Sequence, residues 1–427
     1  MQLGVISAVC SKGVLLMSHI ATRSQAAISK TDITAIAVMA KEDAAKGNKV
    51  INASIGTFYD DDRKLGEVPL IKKALKDYVP SSLGYPSVYG DQAYLKGIRT
   101  FMFGDKEKEI DSLYTIFGGA SIGGTGSISI AFNVFNEAGD SVLLPSVMWT
   151  NYMLIAKKAG LGHETYTMFD ENDKLNLGDI KKKIEERFAS CGRAFLVLND
   201  PCQNPTGYCM DEEEYKALFE LLNEEGKKGK LTVLFDVAYS AFYAVPGHHF
   251  ALNDELVKGK PSFLPLIAFS CSKLFGLYGL RIGALFALCQ NQEERDAVAG
   301  SFGAEARGTY SVPVGAPQVA VAKVLSDPSL KEELWTEINK NTECLSKRSK
   351  ALLAKMDELG IPHYPYMSGF FISIKVKDAY GLHKELMARH MYVVPMNETS
   401  VRIAFGGLSV EDGYTLLTNI KEIISQK

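Results

Sequence analysis

A lysine set in apolar sequence is costly to keep charged, and Lys273 is one, in the run Ser-Cys-Ser-Lys-Leu-Phe-Gly-Leu-Tyr-Gly-Leu-Arg-Ile-Gly. Its neutral amine is a nucleophile toward a carbonyl carbon. The plain alternative is a surface lysine whose stem lies along apolar side chains. Arg281, in the same run, offers a planar fork suited to phosphate or carboxylate oxygens. Asp236 closes an apolar run and is followed by Val-Ala-Tyr. Alone it reads as readily as a satisfied buried carboxylate or a helix cap as it does as a functional group. Asn204, in Asn-Asp-Pro-Cys-Gln-Asn-Pro-Thr-Gly, precedes a proline and is pushed into extended backbone. The cluster Phe-Gly-Gly-Ala-Ser-Ile-Gly-Gly-Thr-Gly-Ser runs into a helical pattern from Ser127, so its backbone N–H groups make an anion site at a helix start. Its spacing matches neither the dinucleotide nor the P-loop fingerprint, which argues against both of those enzyme classes.

These residues follow β-rich runs at 141–144, 194–198, 231–235, 265–269 and 282–288. Between two of them lies a helix capped by Asp211, with Tyr215, Leu218, Phe219 and Leu222 on one face and Gly226 as its stop. Strand and helix in alternation predict a mostly parallel sheet covered on both faces, with ligands at the carboxyl ends of its strands. From Pro328 a long amphipathic helix runs to about Glu358, behind the cap Asp327, with Gly360 as its stop. A smaller mixture of strand and helix follows: Phe370 to Val376, Leu382 to Arg389, Ser400 to Ala404 and a closing helix. The 427 residues are 46% apolar and 23% charged, ordinary usage for a globular chain of two or three folding units, so disorder and coiled-coil rods are excluded. A net charge of −3 from 47 basic and 50 acidic side chains is too balanced for a nucleic-acid binder, which leaves small molecules as partners. The stretch from Phe263 to Cys289 is apolar but carries Lys273 and Arg281, so two buried strands around a charged turn fit it better than a membrane span. The seven cysteines are scattered with no C-x-x-C pair, which predicts no disulfide, no zinc site and a cytoplasmic location. His248 and His249 are read as surface residues, so no metal is expected.

Taken together, Ser-x-Ser-Lys-x-Phe-Gly-Leu-Tyr-x-x-Arg-x-Gly at 270–283, Asn-Pro-Thr-Gly and Phe-Asp-x-Ala-Tyr carry a resemblance. The chain resembles the class I aminotransferases, pyridoxal 5'-phosphate (PLP) enzymes of fold type I, and within them the aspartate aminotransferase group. The resemblance covers nearly the whole chain from about Thr31. It implies an α/β fold: a large domain with a mostly parallel seven-stranded sheet, and a smaller α+β domain. Residues 1–16 would be an N-terminal extension. Residues 17–64 and 314–427 would build the small domain around a large PLP-binding domain at 65–313.

Roles follow residue by residue from the resemblance. Lys273 would hold PLP and move the substrate proton, Asp236 would pair with the ring nitrogen, and Tyr239 and Asn204 would hydrogen-bond the phenolic oxygen. Trp149 would stack on the ring, while core packing suffices for Trp335. Gly124, Thr125, Ser270 and Arg281 would hold the phosphate, joined by Tyr85 from a neighbouring subunit, which implies a homodimer with shared sites. Arg402 would clamp the substrate α-carboxylate, with the Gly56 region closing over it and Asn204 and Trp149 also touching substrate. Arg307 would reach across the dimer to the distal carboxylate of aspartate or glutamate, or serve only as a dimer contact.

The chain departs from the family pattern in two places. The segment after Tyr85 lacks the usual Ile-Pro-Glu-Phe run, and Tyr152 stands where many members have a histidine near the cofactor aspartate. The expected reaction is amino transfer between a dicarboxylic or aromatic amino acid and a 2-oxo acid such as 2-oxoglutarate. A PLP lyase or decarboxylase is the alternative on the same fold. A non-catalytic PLP-binding regulator is disfavoured, because the stretch before Gly56 leaves little room for a DNA-binding module. The acidic run Asp60-Asp61-Asp62 is read as a solvated turn near the site entrance.

Overall fold

The computed structural model describes residues 33–79, 84–243 and 250–426, so the expectations for residues 1–16 and for His248 and His249 lie outside the described residues. A helix at Ile33–Ala45 leads into the short strand β1 (Ile51–Asn52). Helices Pro69–Tyr78 and Gln92–Phe103 then precede the central strands β2 (Thr115–Ile122), β3 (Ser141–Pro145), β4 (Gly162–Tyr166), β5 (Arg193–Asn199), β6 (Lys230–Asp236), β7 (Leu264–Ser270) and β8 (Ile282–Cys289). They form one seven-stranded sheet in the order β2-β8-β7-β6-β5-β3-β4, in which β8 runs antiparallel to both its neighbours. Successive side chains go to opposite faces. Phe195 and Val197 join one buried cluster and Leu196 and Leu198 the other, as the two-residue period of a strand requires.

The five β-rich runs all appear as strands, and two further strands were not legible. In β2 the dipeptide Gly118-Gly119 reads as part of a glycine-rich turn, yet it is strand interior. A Cβ on Gly118 would stand 2.9 Å from the Phe286 ring, and one on Gly119 would stand 2.4 Å from that of Phe302. These glycines mark close approach across a packed face rather than a turn. β4, Gly-His-Glu-Thr-Tyr, is a largely exposed edge strand whose polar composition hides it. The helix after β2 starts at Gly123, earlier than the Ser127 read from the pattern.

The helix Glu212–Gly226 carries the full capping box. Asp211 accepts from the Glu214 N–H at 2.8 Å, and the Glu214 carboxylate accepts from the Asp211 N–H at 3.2 Å. The long helix runs over Pro328–Leu359 behind Asp327, with Gly360 in the left-handed region as its stop. Trp335 on this helix stacks on Phe101 at 4.5 Å. Beyond it come β9 (Phe371–Lys375), β10 (Met391–Tyr392), β11 (Val394–Pro395) and β12 (Ser400–Ala404), with β12 antiparallel between β11 and β9. β1 pairs in parallel with β10, so the N-terminal segment is stitched to the C-terminal strands. The helix Ala316–Ser326 packs on Gln92–Phe103 and Pro69–Tyr78, so residues just past 314 still lie against elements of 65–313. The aspartate run is more than a solvated turn: Asp61 Oδ1 accepts from Nη2 of the buried Arg348 at 2.7 Å. No helix among the described residues is long and apolar enough to cross a membrane.

Replacing Asp211 by Ala removes a cap worth about 1 kcal/mol, so amide exchange in the first turn of Glu212–Gly226 should speed up about fivefold. Hydrogen exchange read at Glu214 and Tyr215 checks this, and unchanged rates would mean the cap contributes nothing.

Candidate active site

The carboxyl ends of β5, β6 and β7 open into a cavity of about 290 Å³ that is also lined from the start of the helix Gly123–Phe135, from β12 and from the segment after β1. The parallel register puts Asn199 beside Asp236 and Asp236 beside Ala268, so the polar strand ends stand at one level.

Lys273 lies on the short helix Cys271–Leu274 that follows β7 directly. Its Nζ donates to the Gly56 carbonyl at 2.5 Å and stands 4.8 Å over the Tyr278 ring. Burial, then the charges of Arg402 and Arg281, pulls this amine down to about 7. Gly56 has to be glycine here, since a Cβ would sit 2.5 Å from the Phe371 ring and force the carbonyl away from the lysine.

Asp236, the last residue of β6, is buried and pushed up to about 6 by that burial. The hydroxyl of Tyr152 donates to its Oδ2 at 2.5 Å and the Ala238 N–H to its Oδ1 at 3.2 Å. Burial holds the Tyr152 and Tyr239 phenols well above their ordinary range, which keeps both as donors at neutral pH. Asn199 binds two loops together: its Nδ2 donates to the Asp236 carbonyl at 2.8 Å and its Oδ1 accepts from the Asn204 N–H at 2.8 Å. Asn204 Oδ1 in turn accepts from Arg402 Nη1 at 3.1 Å.

Arg402, in β12, is 2% exposed. Its Nη2 donates to the Ser54 carbonyl at 2.7 Å, and its guanidinium lies 4.6 Å over the Phe371 ring. Its Nε has no partner in the protein. Burial lowers this group to about 10, still far enough above neutrality to leave it charged. A buried cation with an unused donor fits an anionic ligand.

A second anion site faces the start of the helix Gly123–Phe135. Gly123 has φ +66°, and a Cβ there would meet Arg281 Nη2 at 2.4 Å, so the bare backbone makes room for the guanidinium. Arg281 is anchored by Nη1, which donates to Ser272 Oγ at 2.9 Å and to the Tyr278 carbonyl at 3.0 Å. Ser270 caps the lysine helix, accepting from the Ser272 N–H at 3.3 Å, and lies under Gly124, where a Cβ would come within 3.1 Å. Helix-start amides, hydroxyls and a guanidinium make a phosphate cradle, and the same cavity holds a near-neutral amine and a carboxylate. This donor set fits PLP.

Gly56, Gly124, Thr125, Trp149, Asn204, Asp236, Tyr239, Ser270, Lys273, Arg281 and Arg402 line one cavity. Tyr85 and Arg307 do not line it: Tyr85 is 95% exposed and Arg307 is exposed in the last turn of the helix Gln292–Thr309. The polar and aromatic lining residues that the sequence left without a site role are Asn199, Ser272, Tyr278 and Phe371. Asn199 ends β5 and Ser272 precedes Lys273 on its short helix, a signal that was available. Phe371 reads as core in any pattern. Among the described residues no group of His, Cys, Asp and Glu is placed to hold a metal ion.

In cofactor-free protein, acylation of Lys273 followed by peptide mass analysis should rise with pH through a midpoint near 7, because the neutral amine is the reactive form. Arg402→Gln should move that midpoint upward by removing a like charge. A midpoint near 10 in the unaltered protein would contradict the buried setting.

The family model for aminotransferase class I and II matches residues 48–420. The aromatic-amino-acid aminotransferase of Escherichia coli (strain K12) is 27% identical over 332 residues, 74% of this chain and 79% of its own length. The tyrosine aminotransferase of Rhizobium meliloti (strain 1021) is 30% identical over 292 residues, 67% of this chain and 71% of its own. Among solved structures, an aminotransferase from Anaerococcus prevotii DSM 20548 superposes with a TM-score of 0.86 at 24% identity, covering 96% of this chain and all of that one. An aromatic-amino-acid aminotransferase from Burkholderia pseudomallei, covalently bound to pyridoxal phosphate, superposes at 0.76 with 20% identity, covering 95% of this chain and all of that one. The relatives named here are aminotransferases, which favours amino transfer over the lyase or decarboxylase alternative. With a matched segment spanning most of its length and a cavity that fits the cofactor, the chain belongs to the class I and II aminotransferases, enzymes that work with PLP.

Proposed function

We propose that this aminotransferase exchanges an amino group between a dicarboxylic or aromatic 2-amino acid and a 2-oxo acid such as 2-oxoglutarate, working as a cytoplasmic homodimer with shared active sites. The carrying observation is Arg402, a buried guanidinium with an unpartnered Nε in the same cavity as the near-neutral amine of Lys273. An α-carboxylate on Arg402 leaves the substrate's Cα inside the cavity that Lys273 lines. Named relatives act on aromatic amino acids, tyrosine and aspartate by their descriptions, which supports this breadth of donors.

PLP, when bound, supplies an electron sink for the pair left behind as the Cα–H bond breaks. The protein's own groups do the rest. Lys273 Nζ, neutral for much of the time near pH 7, holds the cofactor and then accepts and returns the Cα proton. Asp236, with Tyr152 and the Ala238 N–H fixing its two oxygens, presents a carboxylate to the ring nitrogen and keeps that nitrogen protonated. Tyr239 and Asn204 would hydrogen-bond the ring's phenolic oxygen, and Trp149, also in the cavity lining, would stack on the ring. Gly124, Thr125, Ser270, Ser272 and Arg281 hold the phosphate. The exposure of Tyr85 and Arg307, away from their own chain's cavity, supports their serving the partner's site, Tyr85 at the phosphate and Arg307 at a distal carboxylate. The free thiols of Cys191, Cys202, Cys209, Cys271, Cys289 and Cys344 suit a reducing compartment.

Adding amino acids one at a time to the PLP-loaded enzyme and following its visible absorbance tests the reaction. Aspartate, glutamate or aromatic donors should bleach it and 2-oxoglutarate should restore it, and a panel in which no amino acid does so would sink the reading. Arg402→Gln should lower kcat/KM for every donor by roughly 10²–10⁴, from about 3–5 kcal/mol for a lost buried ion pair. Arg307→Ala should cost a similar factor for aspartate and glutamate alone, and equal losses for aromatic donors would remove Arg307 from substrate contact.

A further inference from the structure

The loop that carries Asn204 is flanked by two buried cysteines, Cys202 and Cys209, whose sulfurs are 4.0 Å apart. We propose that these thiols are a modification site, oxidised by a hydroperoxide to a disulfide that displaces Asn204 and reversibly lowers turnover.

The backbone holds the pair together. The Gln203 N–H donates to the Tyr208 carbonyl at 2.9 Å, and the Gly207 N–H donates to the Gln203 carbonyl at 2.7 Å. Cys202 and Cys209 thus stand immediately outside a closed turn, with their sulfurs in contact across it. The Cys202 N–H donates to Cys209 Sγ at 3.2 Å, and the Cys209 thiol points back to Cys202 Sγ. Burial, then the contact with Cys202, holds the Cys209 thiol well above its ordinary range. Both cysteines are buried, at 0% and 1% exposure, so hydrogen peroxide reaches them in a local opening of this loop.

The step balances with hydrogen peroxide as the oxidant. The Cys202 sulfur attacks one peroxide oxygen, the S–O bond forms, the O–O bond breaks, and hydroxide leaves to take up the thiol's proton as water. Cys209 sulfur then attacks Cys202 sulfur, the S–S bond forms, the S–O bond breaks, and a second water leaves with the Cys209 proton. Two thiols are oxidised and one peroxide is reduced. Bonding distance is about 2.05 Å, so both ends of the loop must shift from their present 4.0 Å separation. Asn204 is held by single hydrogen bonds to Asn199 and Arg402, and a displacement near 1 Å breaks the arrangement that receives substrate.

The PLP-loaded enzyme is exposed to hydrogen peroxide, denatured in iodoacetamide and mapped by peptide mass. The peptide spanning 202–209 should be two hydrogens lighter and unalkylated, while Cys344 stays alkylatable. kcat/KM should fall about tenfold or more with cofactor absorbance retained, and dithiothreitol should restore both states. Cys209→Ser should turn over like the reduced enzyme and resist peroxide. Full alkylation of both cysteines, or separate sulfinic acids on them, would overturn the disulfide. A disulfide with unchanged kcat/KM, or equal peroxide sensitivity in Cys209→Ser, would overturn its link to Asn204. Should that variant fail to fold, the wild-type map and the dithiothreitol reversal still decide. The disulfide rests on sulfur geometry alone, whereas the link to turnover rests on the roles given above to Asn204 and Arg402. Reduced enzyme that turned over no amino acid would sink those roles and leave the peptide map to judge the bond.

Discussion

Concentrated positive charge in a closed space is the constraint around which this protein is arranged. Arg402, Arg281 and Lys273 line one cavity, and burial of such groups without partners costs several kcal/mol each. The structure relieves part of that cost by hydrogen bonds: Arg402 to the Ser54 carbonyl and Asn204, Arg281 to Ser272 and the Tyr278 carbonyl, Lys273 to the Gly56 carbonyl. What it leaves undone is as informative, since Arg402 Nε stays unpartnered and the Lys273 amine is pulled down to about 7. The result is a cavity prepared for an anionic cofactor and an anionic substrate, with a nucleophilic amine between them.

Holding such a cavity together requires segments far apart in the chain to meet. The segment after β1 gives two of the three carbonyls just named, and it can do so because β1 pairs with β10 and the Ala53 carbonyl accepts from the Ala404 N–H. The parallel sheet sets the opposite wall by register, aligning Asn199 with Asp236. The Asn199 side chain then ties the loop of Asn204 to the end of β6, so the residue that contacts Arg402 is fixed by the sheet and not by its own loop alone.

Backbone strain sits where these walls approach. Arg281 occupies the left-handed region at φ +53° and Cys202 at φ +62°, while Gly123 and Gly207 take it at no steric cost. A Cβ on Gly207 would stand 2.2 Å from the Tyr366 ring, so the Asn204 loop packs against the C-terminal strands with no space to spare. The same close packing brings the two loop cysteines into contact.

Much of this was legible in the sequence. Alternating apolar runs announced five of the seven central strands, because burial on both faces leaves a continuous hydrophobic signature. The other two, glycine-rich β2 and polar edge β4, lacked that signature for packing reasons that exist only in three dimensions. The residue types at strand ends, Lys273, Asp236, Asn204 and Arg281, were conspicuous because a polar group after an apolar run needs a reason, and their motifs carried the family resemblance. Tertiary structure alone decided that the Tyr152 hydroxyl donates to Asp236, that Asn199 links two loops and that Arg402 keeps a free donor. Local pattern records which residues must be buried or must turn. It does not record which partner each meets once the chain has closed, and charge, acidity and reactivity here depend on those partners.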